Sequence, residues 1–423
     1  MIVFIFSTII EVIEMIYSFK RTHKFLTIQN VFFVSIIINF ILYLCNWSSD
    51  FVVGCQPITY TVIIVTQVLV TITDFYYLSK PANQLNFCEK IKTIKFNGLF
   101  LSPSTILFIV CLLCGMAENY LTYGMLFPFL NSIDSHKNVV PIFGTIWRSL
   151  YPIALIYLIA EGKYKEKKWY DFFFLIITAL YLFISSGSRF WSVLSLCCAF
   201  FFWIKYKNPK IRFNKFILII LVIVILVIVM LNMGISRLTI YSYEYKIGYK
   251  GPFAGTSFGE TVSWYYGYFP YSFHNLNMTL MNISNNNRYT YGLFFILPVL
   301  YLTKTYKIFG LQSYNYYAMS VRIVTNTAAT VATAFFEFYA DFGPFFFIPI
   351  LALLIVMNTL EKRKTIFSIG VFSYLLIIWY MFNFYNVISN GIPYTFMLFL
   401  FICNKFFVIT IPSNKEQHKN KTV

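Results

Sequence analysis

Five arginines hold the chemistry this sequence offers to a ligand: Arg148, Arg189, Arg237, Arg288 and Arg322. A guanidinium is a planar fork that stays charged at ordinary pH and grips phosphate through two parallel hydrogen bonds. Arg189 stands in SSGSRFW at 185–191, between two almost uncharged apolar runs. An arginine at the middle of a bilayer costs about 2.5–3.5 kcal/mol on insertion scales. It therefore marks a turn where the chain leaves the membrane, or it sits inside for a reason. Arg148 lies roughly 13 Å into its own run, counted from Val139 at about 1.5 Å per residue. Ionisable residues at such depth face a cavity or a partner. The groups able to take a proton near the other arginines are Glu337 and Asp341, spaced i, i+4 on one helix face, with Glu260 and His274. Structural uses compete with each of these: an ion pair for Arg148, an interfacial position for Arg189, capping or pairing with Arg322 for the two carboxylates.

Other chemistries are missing from the sequence. It has no HExxH, Walker loop, GxSxG or DxD, and no His/Cys/Asp constellation at metal-ligand spacing. The expectation is no protein-held metal, no nucleotide site and no cofactor. Cys111 and Cys114 form a CxxC inside IVCLLCG, with no second pair or nearby histidine, and read as small apolar helix residues. Cys45 and Cys55 could meet outside the membrane, but nothing requires it.

The elements that must position these residues are membrane helices. The 423 residues are 59% hydrophobic and only 12% charged, against about 25% charged in soluble globular proteins. The net charge of +17 comes as short basic clusters between apolar runs, which excludes a nucleic-acid-binding stripe. A spanning helix needs about 20 largely apolar residues. The sequence predicts an all-α polytopic membrane protein of about 11 (10–12) transmembrane helices, near 2–19, 25–45, 57–78, 99–117, 139–160, 169–186, 189–204, 216–233, 343–360, 365–383 and 392–411. The organisation is an N-terminal bundle over 1–233, a long extracytoplasmic loop over 234–342 with interfacial or re-entrant helices, C-terminal spans over 343–411 and a tail over 412–423. The run at 292–303, GLFFILPVLYLT, is too short to span. Glu11 and Glu14 in the first span lie one helical turn apart on one face.

Lysine and arginine in the short loops set the orientation. With the first turn in the cytoplasm, 23 of the 33 basic residues fall on that side, and only three of these are arginines, Arg21, Arg212 and Arg363. The remaining ten include the five arginines named above. The N-terminus is then outside and the C-terminus cytoplasmic. An arginine-biased outer face points to an anionic ligand there. The long loop adds Gly- and Tyr-rich sequence over 234–273 and an Asn-rich stretch over 274–291. Aromatic faces stack on sugar rings, and amides donate to and accept from sugar hydroxyls.

The layout, the Ser-Gly-Ser-Arg turn at 186–189, the stretch YYGYFPYSFHNLNMTLMN followed by RYTYGLFFILP, and TNTAATVATAFFEFYADFGPF at 325–345 together resemble the bacterial oligosaccharide repeat-unit polymerases, the Wzy-type O-antigen and capsule polymerases. The resemblance implies a glycosyltransferase of polysaccharide biosynthesis in the cytoplasmic (inner) membrane. Such an enzyme moves a growing glycan from undecaprenyl pyrophosphate to the next lipid-linked repeat unit at the outer face. Undecaprenyl-pyrophosphate-linked oligosaccharide is then both donor and acceptor, membrane lipid is the surrounding partner, and a chain-length regulator is a further partner of the family. Arg189 and Arg148 would bind the pyrophosphate, and Arg237, Arg288 and Arg322 would position substrate. Asp341, Glu337 and His274, in that order, are the candidate bases. Two other readings stay open: an O-antigen ligase, favoured by HNL at 274–276, and a lipid-linked oligosaccharide flippase.

Overall fold

The computed structural model describes residues 2–22, 27–51, 54–78, 87–92, 94–96, 99–127, 141–162, 169–185, 189–207, 243–312, 314–323, 333–383 and 391–412. The chain is mostly helical. Its helices are α1 (Ile2–Thr22), α2 (Ile28–Leu44), α3 (Pro57–Leu78), α4 (Pro103–Tyr123), α5 (Pro141–Glu161), α6 (Trp169–Ser185), α7 (Arg189–Lys207), α8 (Tyr243–Lys246), α9 (Ser257–Tyr268), α10 (Pro270–Asn286), α11 (Leu293–Leu302), α12 (Tyr314–Val321), α13 (Phe335–Phe342), α14 (Phe347–Lys362), α15 (Ile366–Met381) and α16 (Ile392–Phe407). Four strands, β1 (Phe87–Ile91), β2 (Ile94–Phe96), β3 (Leu99–Leu101) and β4 (Val408–Pro412), form two antiparallel pairs, β1 with β4 and β2 with β3.

Among the described residues, four helices are long and apolar enough to cross a membrane: Pro57–Tyr77, Pro103–Tyr123, Ile142–Glu161 and Phe190–Lys207. A fifth candidate is bent by 114° between Phe335–Phe345 and Phe347–Lys362. Shorter apolar helices are Ile28–Leu44, Phe172–Phe183, Ile366–Met381 and Ile392–Phe407. The expected span at 216–233 lies outside the described residues. Four short strands accompany the helices. One of them, β3, occupies the start of the expected span at 99–117. The helix begins instead at Pro103, because Ser102 accepts from the Thr105 amide and Pro103 fills the first helical position. It runs on to Gly124, which closes it at φ 72°.

The chain divides into two compact units: 1–80, 210–358 and 378–390 form the first, and 81–209, 359–377 and 391–423 the second. In the first, α2 is the central helix, in contact with α1, α3 and α10. It carries polar groups at four-residue spacing. The Ser35 hydroxyl donates to the Tyr380 carbonyl at 2.7 Å, and the Asn39 amide to the Asn383 carbonyl at 2.7 Å. These side chains satisfy carbonyls at the end of α15 that its own turns leave open. Phe32 stacks on Trp379 beside them, centroids 4.8 Å apart. The expected first-span carboxylates do lie on one helix: Glu11 is buried, and Glu14 accepts from Gln29 and Thr71.

The segment before α3 folds against α10. Trp47, Phe51, Tyr249, Tyr266 and Tyr271 form an aromatic cluster. Its polar edges are closed: Tyr266 accepts from the Trp47 amide at 2.7 Å, and Tyr271 donates to Asp50 at 2.6 Å. Asn277 accepts from the Gln56 amide and the Thr59 hydroxyl, both at 2.8 Å.

In the second unit, α5 packs against α4, α7 and α16. The Ser104 amide and hydroxyl donate to Glu161, at 3.0 and 2.6 Å, which fastens the start of α4 to the end of α5. Tyr374 of α15 stacks on Phe396 of α16, 4.0 Å between centroids.

Candidate functional site

Helix α10 ends where Asn287 takes φ 51° and the Arg288 amide donates back to the Ile283 carbonyl at 3.2 Å. Asparagine tolerates this left-handed position, so the helix stops and the chain turns outward. Arg288 is thereby placed against α12. Its Nη1 donates to the Ser320 carbonyl at 2.8 Å, and Asn282 donates to the Val321 carbonyl at 3.0 Å. Arg322 follows directly, half-buried, with its Nε buried and unpartnered. Two guanidinium groups therefore stand at the carbonyl end of one short helix, where its dipole favours cations.

Two residues beyond Arg288, the Thr290 amide donates to the Ala340 carbonyl at 2.8 Å. The Thr290 hydroxyl donates to Asp341 Oδ1 at 2.5 Å. The Phe294 and Phe295 amides donate to the two Asp341 oxygens at 3.2 and 3.1 Å. Asp341 thus caps α11 from α13, as its negative charge suits a helix start. The Gly292 amide also acts on this carboxylate, so its roughly four acceptor positions are met by four donors. Around this turn the Tyr289 ring packs on Tyr339 and Tyr291, with centroids 6.2 and 6.3 Å away. Gly343, at φ 54°, passes so close that a Cβ would lie 3.3 Å from the Tyr289 ring.

The structure brings Arg288, Arg322 and Asp341 to one end of α10. Glu337 shares α13 with Asp341 and is buried. His274 stands near the other end of α10, roughly 18 Å away at about 1.5 Å per residue. It is 1% exposed, its ring packs 5.0 Å from Phe51, and Nδ1 has no partner. Burial pushes its pKa below the ordinary 6.5, and Asp50 opposes the shift. A protonated imidazole is disfavoured here, so stability holds above pH 6.5 and falls as pH drops below it, where the unfolded chain gains a proton that the folded one resists. The expected result is a thermal midpoint that declines from pH 7 to pH 5 in the intact protein and declines less in His274→Asn; equal slopes would remove His274 from the effect.

Arg148 and Arg189 belong to the second unit. Arg148 Nη2 meets Glu118 Oε1 at 2.9 Å, both side chains under one-tenth exposed, and Trp147 donates its indole N–H to the other Glu118 oxygen. The guanidinium carbon lies 4.8 Å from the centroid of the Trp147 ring. The ion pair weighed for Arg148 at the outset is therefore present, and it meets the charge expected for pyrophosphate from within the unit. Arg189 opens α7, and α6 ends at Ser185, so only 186–188 separate the two helices. Those three residues, and Arg237, lie outside the described residues. The sequence reading missed Glu118, Tyr289 and Tyr339 as neighbours of the arginines and of Asp341. Among the described residues no group of three His, Cys, Asp or Glu side chains has metal-binding geometry.

No protein-family model, curated protein or solved structure matches this chain.

Proposed function

We propose that this protein polymerises lipid-linked oligosaccharide repeat units. The glycan is transferred from undecaprenyl pyrophosphate at the outer face of the cytoplasmic membrane, in a bundle of about 11 spans whose 234–342 loop lies outside. The observation that carries this reading is Arg189 at the first residue of α7. A helix start already concentrates positive potential, so a cation there is unfavourable until an anion arrives. A helix start joined to a guanidinium suits a diphosphate. In a water-poor site such contacts stabilise charge building on a departing pyrophosphate.

Arg288 and Arg322 support the same reading, as two guanidinium groups at the end of α12, with the exposed ring of Tyr291 three residues after Arg288 suited to stacking on a sugar. Asp341, which accepts from Thr290 two residues beyond Arg288, is the first candidate to accept the proton of the attacking hydroxyl, with Glu337 and His274 behind it. Arg237 is retained as a positioning residue, and Arg148 is assigned to holding α4 and α5 together.

The test is complementation of a host lacking the protein, read as polysaccharide chain length. A polymerase knockout leaves single repeat units, and the intact gene restores the ladder; loss of all repeats in the knockout would indicate a ligase. Asp341→Ala adds a second measurement. Removing the cap of α11 should cost about 0.5–2 kcal/mol in a thermal melt and abolish the ladder. Asp341→Asn should melt between the parent and Asp341→Ala, since its one amide oxygen keeps only part of the cap, yet still make no ladder, since the amide takes up no proton. A full ladder with Asp341→Asn would assign the residue to structure alone.

A further inference from the structure

At one end of the second unit, contacts join four helix ends to a two-stranded sheet. Lys205 at the end of α7 pairs with Glu361 at the end of α14. Glu89 of β1 accepts from the Ile366 amide that opens α15, at 2.7 Å. The β1 strand pairs with β4, which continues directly from α16, and the Lys92 amide donates to the Phe407 carbonyl at 2.8 Å. Every acid in this chain of contacts has an internal use. Glu361 neutralises Lys205, Glu89 is buried as a helix cap, and Thr365 completes that cap by accepting from the Ser368 amide at 3.1 Å.

The cations left over point outward. Lys90, Lys92, Lys207, Arg363, Lys364 and Lys405 are exposed, and none pairs with a carboxylate among the described residues. Large apolar side chains stand among them: Phe406 is 70% exposed and Ile409 44%. In the β1–β4 ladder Lys90 lies directly opposite Ile409, while Val408 turns inward, the alternation expected of a strand with one covered face. A purely cationic surface suits any polyanion. Exposed Phe and Ile beside lysines, at the ends of apolar helices, select a lipid surface, where rings and aliphatic chains enter the acyl boundary while the charges meet headgroups.

We infer that this sheet-and-helix-end platform is a docking surface for anionic phospholipid headgroups. The inference stands independently of the polymerase reading, because none of its residues belongs to the proposed site. The experiment titrates the full-length protein in detergent with phosphatidylglycerol and, separately, phosphatidylcholine, and counts bound lipid by native mass spectrometry. Each basic residue near an anionic surface contributes about fivefold. Phosphatidylglycerol should therefore bind at least about tenfold more tightly than phosphatidylcholine, and K90Q/K92Q/R363Q/K364Q should lose that preference. Raising salt should erode it in the unmodified protein, and R363Q/K364Q alone should reduce it, so the inference remains testable if the fourfold variant does not fold. K304Q/K307Q, outside the platform, should leave it unchanged. Equal affinity for the two lipids, retention of the preference in R363Q/K364Q, its loss in K304Q/K307Q, or binding of an acidic peptide in place of lipid would each overturn the inference.

Discussion

Arg189→Ala should leave a protein that inserts and folds while polymer formation falls by about 10²–10³-fold, the loss typical of removing one group that stabilises a developing oxyanion. The two readouts should move in opposite directions. Taking a cation from the start of α7 relieves its repulsion with the helix dipole, a gain of about 0.3–1 kcal/mol if it changes stability at all. A residue kept for packing would lower the melting temperature when removed; one kept for an anionic ligand would not. Arg189→Lys should recover part of the activity, because an ammonium supplies the charge without the bidentate fork. Arg189→Gln should resemble alanine. The measurement pairs chain-length analysis in the complemented host with thermal melts of each purified variant. A full ladder from Arg189→Ala at normal expression would remove this residue from the mechanism, and the proposed reaction would lose its main support.

The sequence exposed the helices because long apolar runs leave few alternatives, and α3, α5 and α7 lie close to their expected limits. It hid the first residues of α4 for a local reason. Leu99–Leu101 is as apolar as the helix that follows, and only the Ser102–Pro103 start signal separates strand from helix. That displacement had a consequence at the other end. An expected span closing at residue 117 stops one short of Glu118, the partner of Arg148, which therefore read as a loop residue. The β1–β4 pairing joins segments more than 300 residues apart in the chain, and such register is set by tertiary contacts that leave no local period. The i, i+4 spacing of Glu337 and Asp341 correctly placed both on one helix. What Asp341 touches depends on how α11 approaches α13, and that is not written in α13 itself. The same holds for Asp50, whose contact with Tyr271 comes from folding the segment before α3 onto α10.

Glu118→Ala should be the most destabilising single change in the second unit, at about 3–5 kcal/mol. Glu118 answers two donors at once, the Arg148 guanidinium and the Trp147 indole. Removing it leaves a buried charge and a buried N–H without acceptors, in a helix pair that has apolar surroundings and little water to substitute. The site also has no spare volume. A Cβ at Gly144 would fall on the Arg148 guanidinium and the Glu118 carboxylate, so Gly144→Ala should destabilise by forcing the pair apart, though less than losing the carboxylate. Replacing both charges together, as in E118L/R148M, removes the unmet charge along with its partner, and such exchanges are often neutral or stabilising. The double variant should therefore melt well above either single variant, short of the parent by about 1–3 kcal/mol, the cost of the unmet Trp147 indole N–H. It should also form polymer, because the charge of Arg148 is already met within the unit. A double variant that folds yet makes only single repeat units would return Arg148 to the pyrophosphate and show that Glu118 holds it in wait.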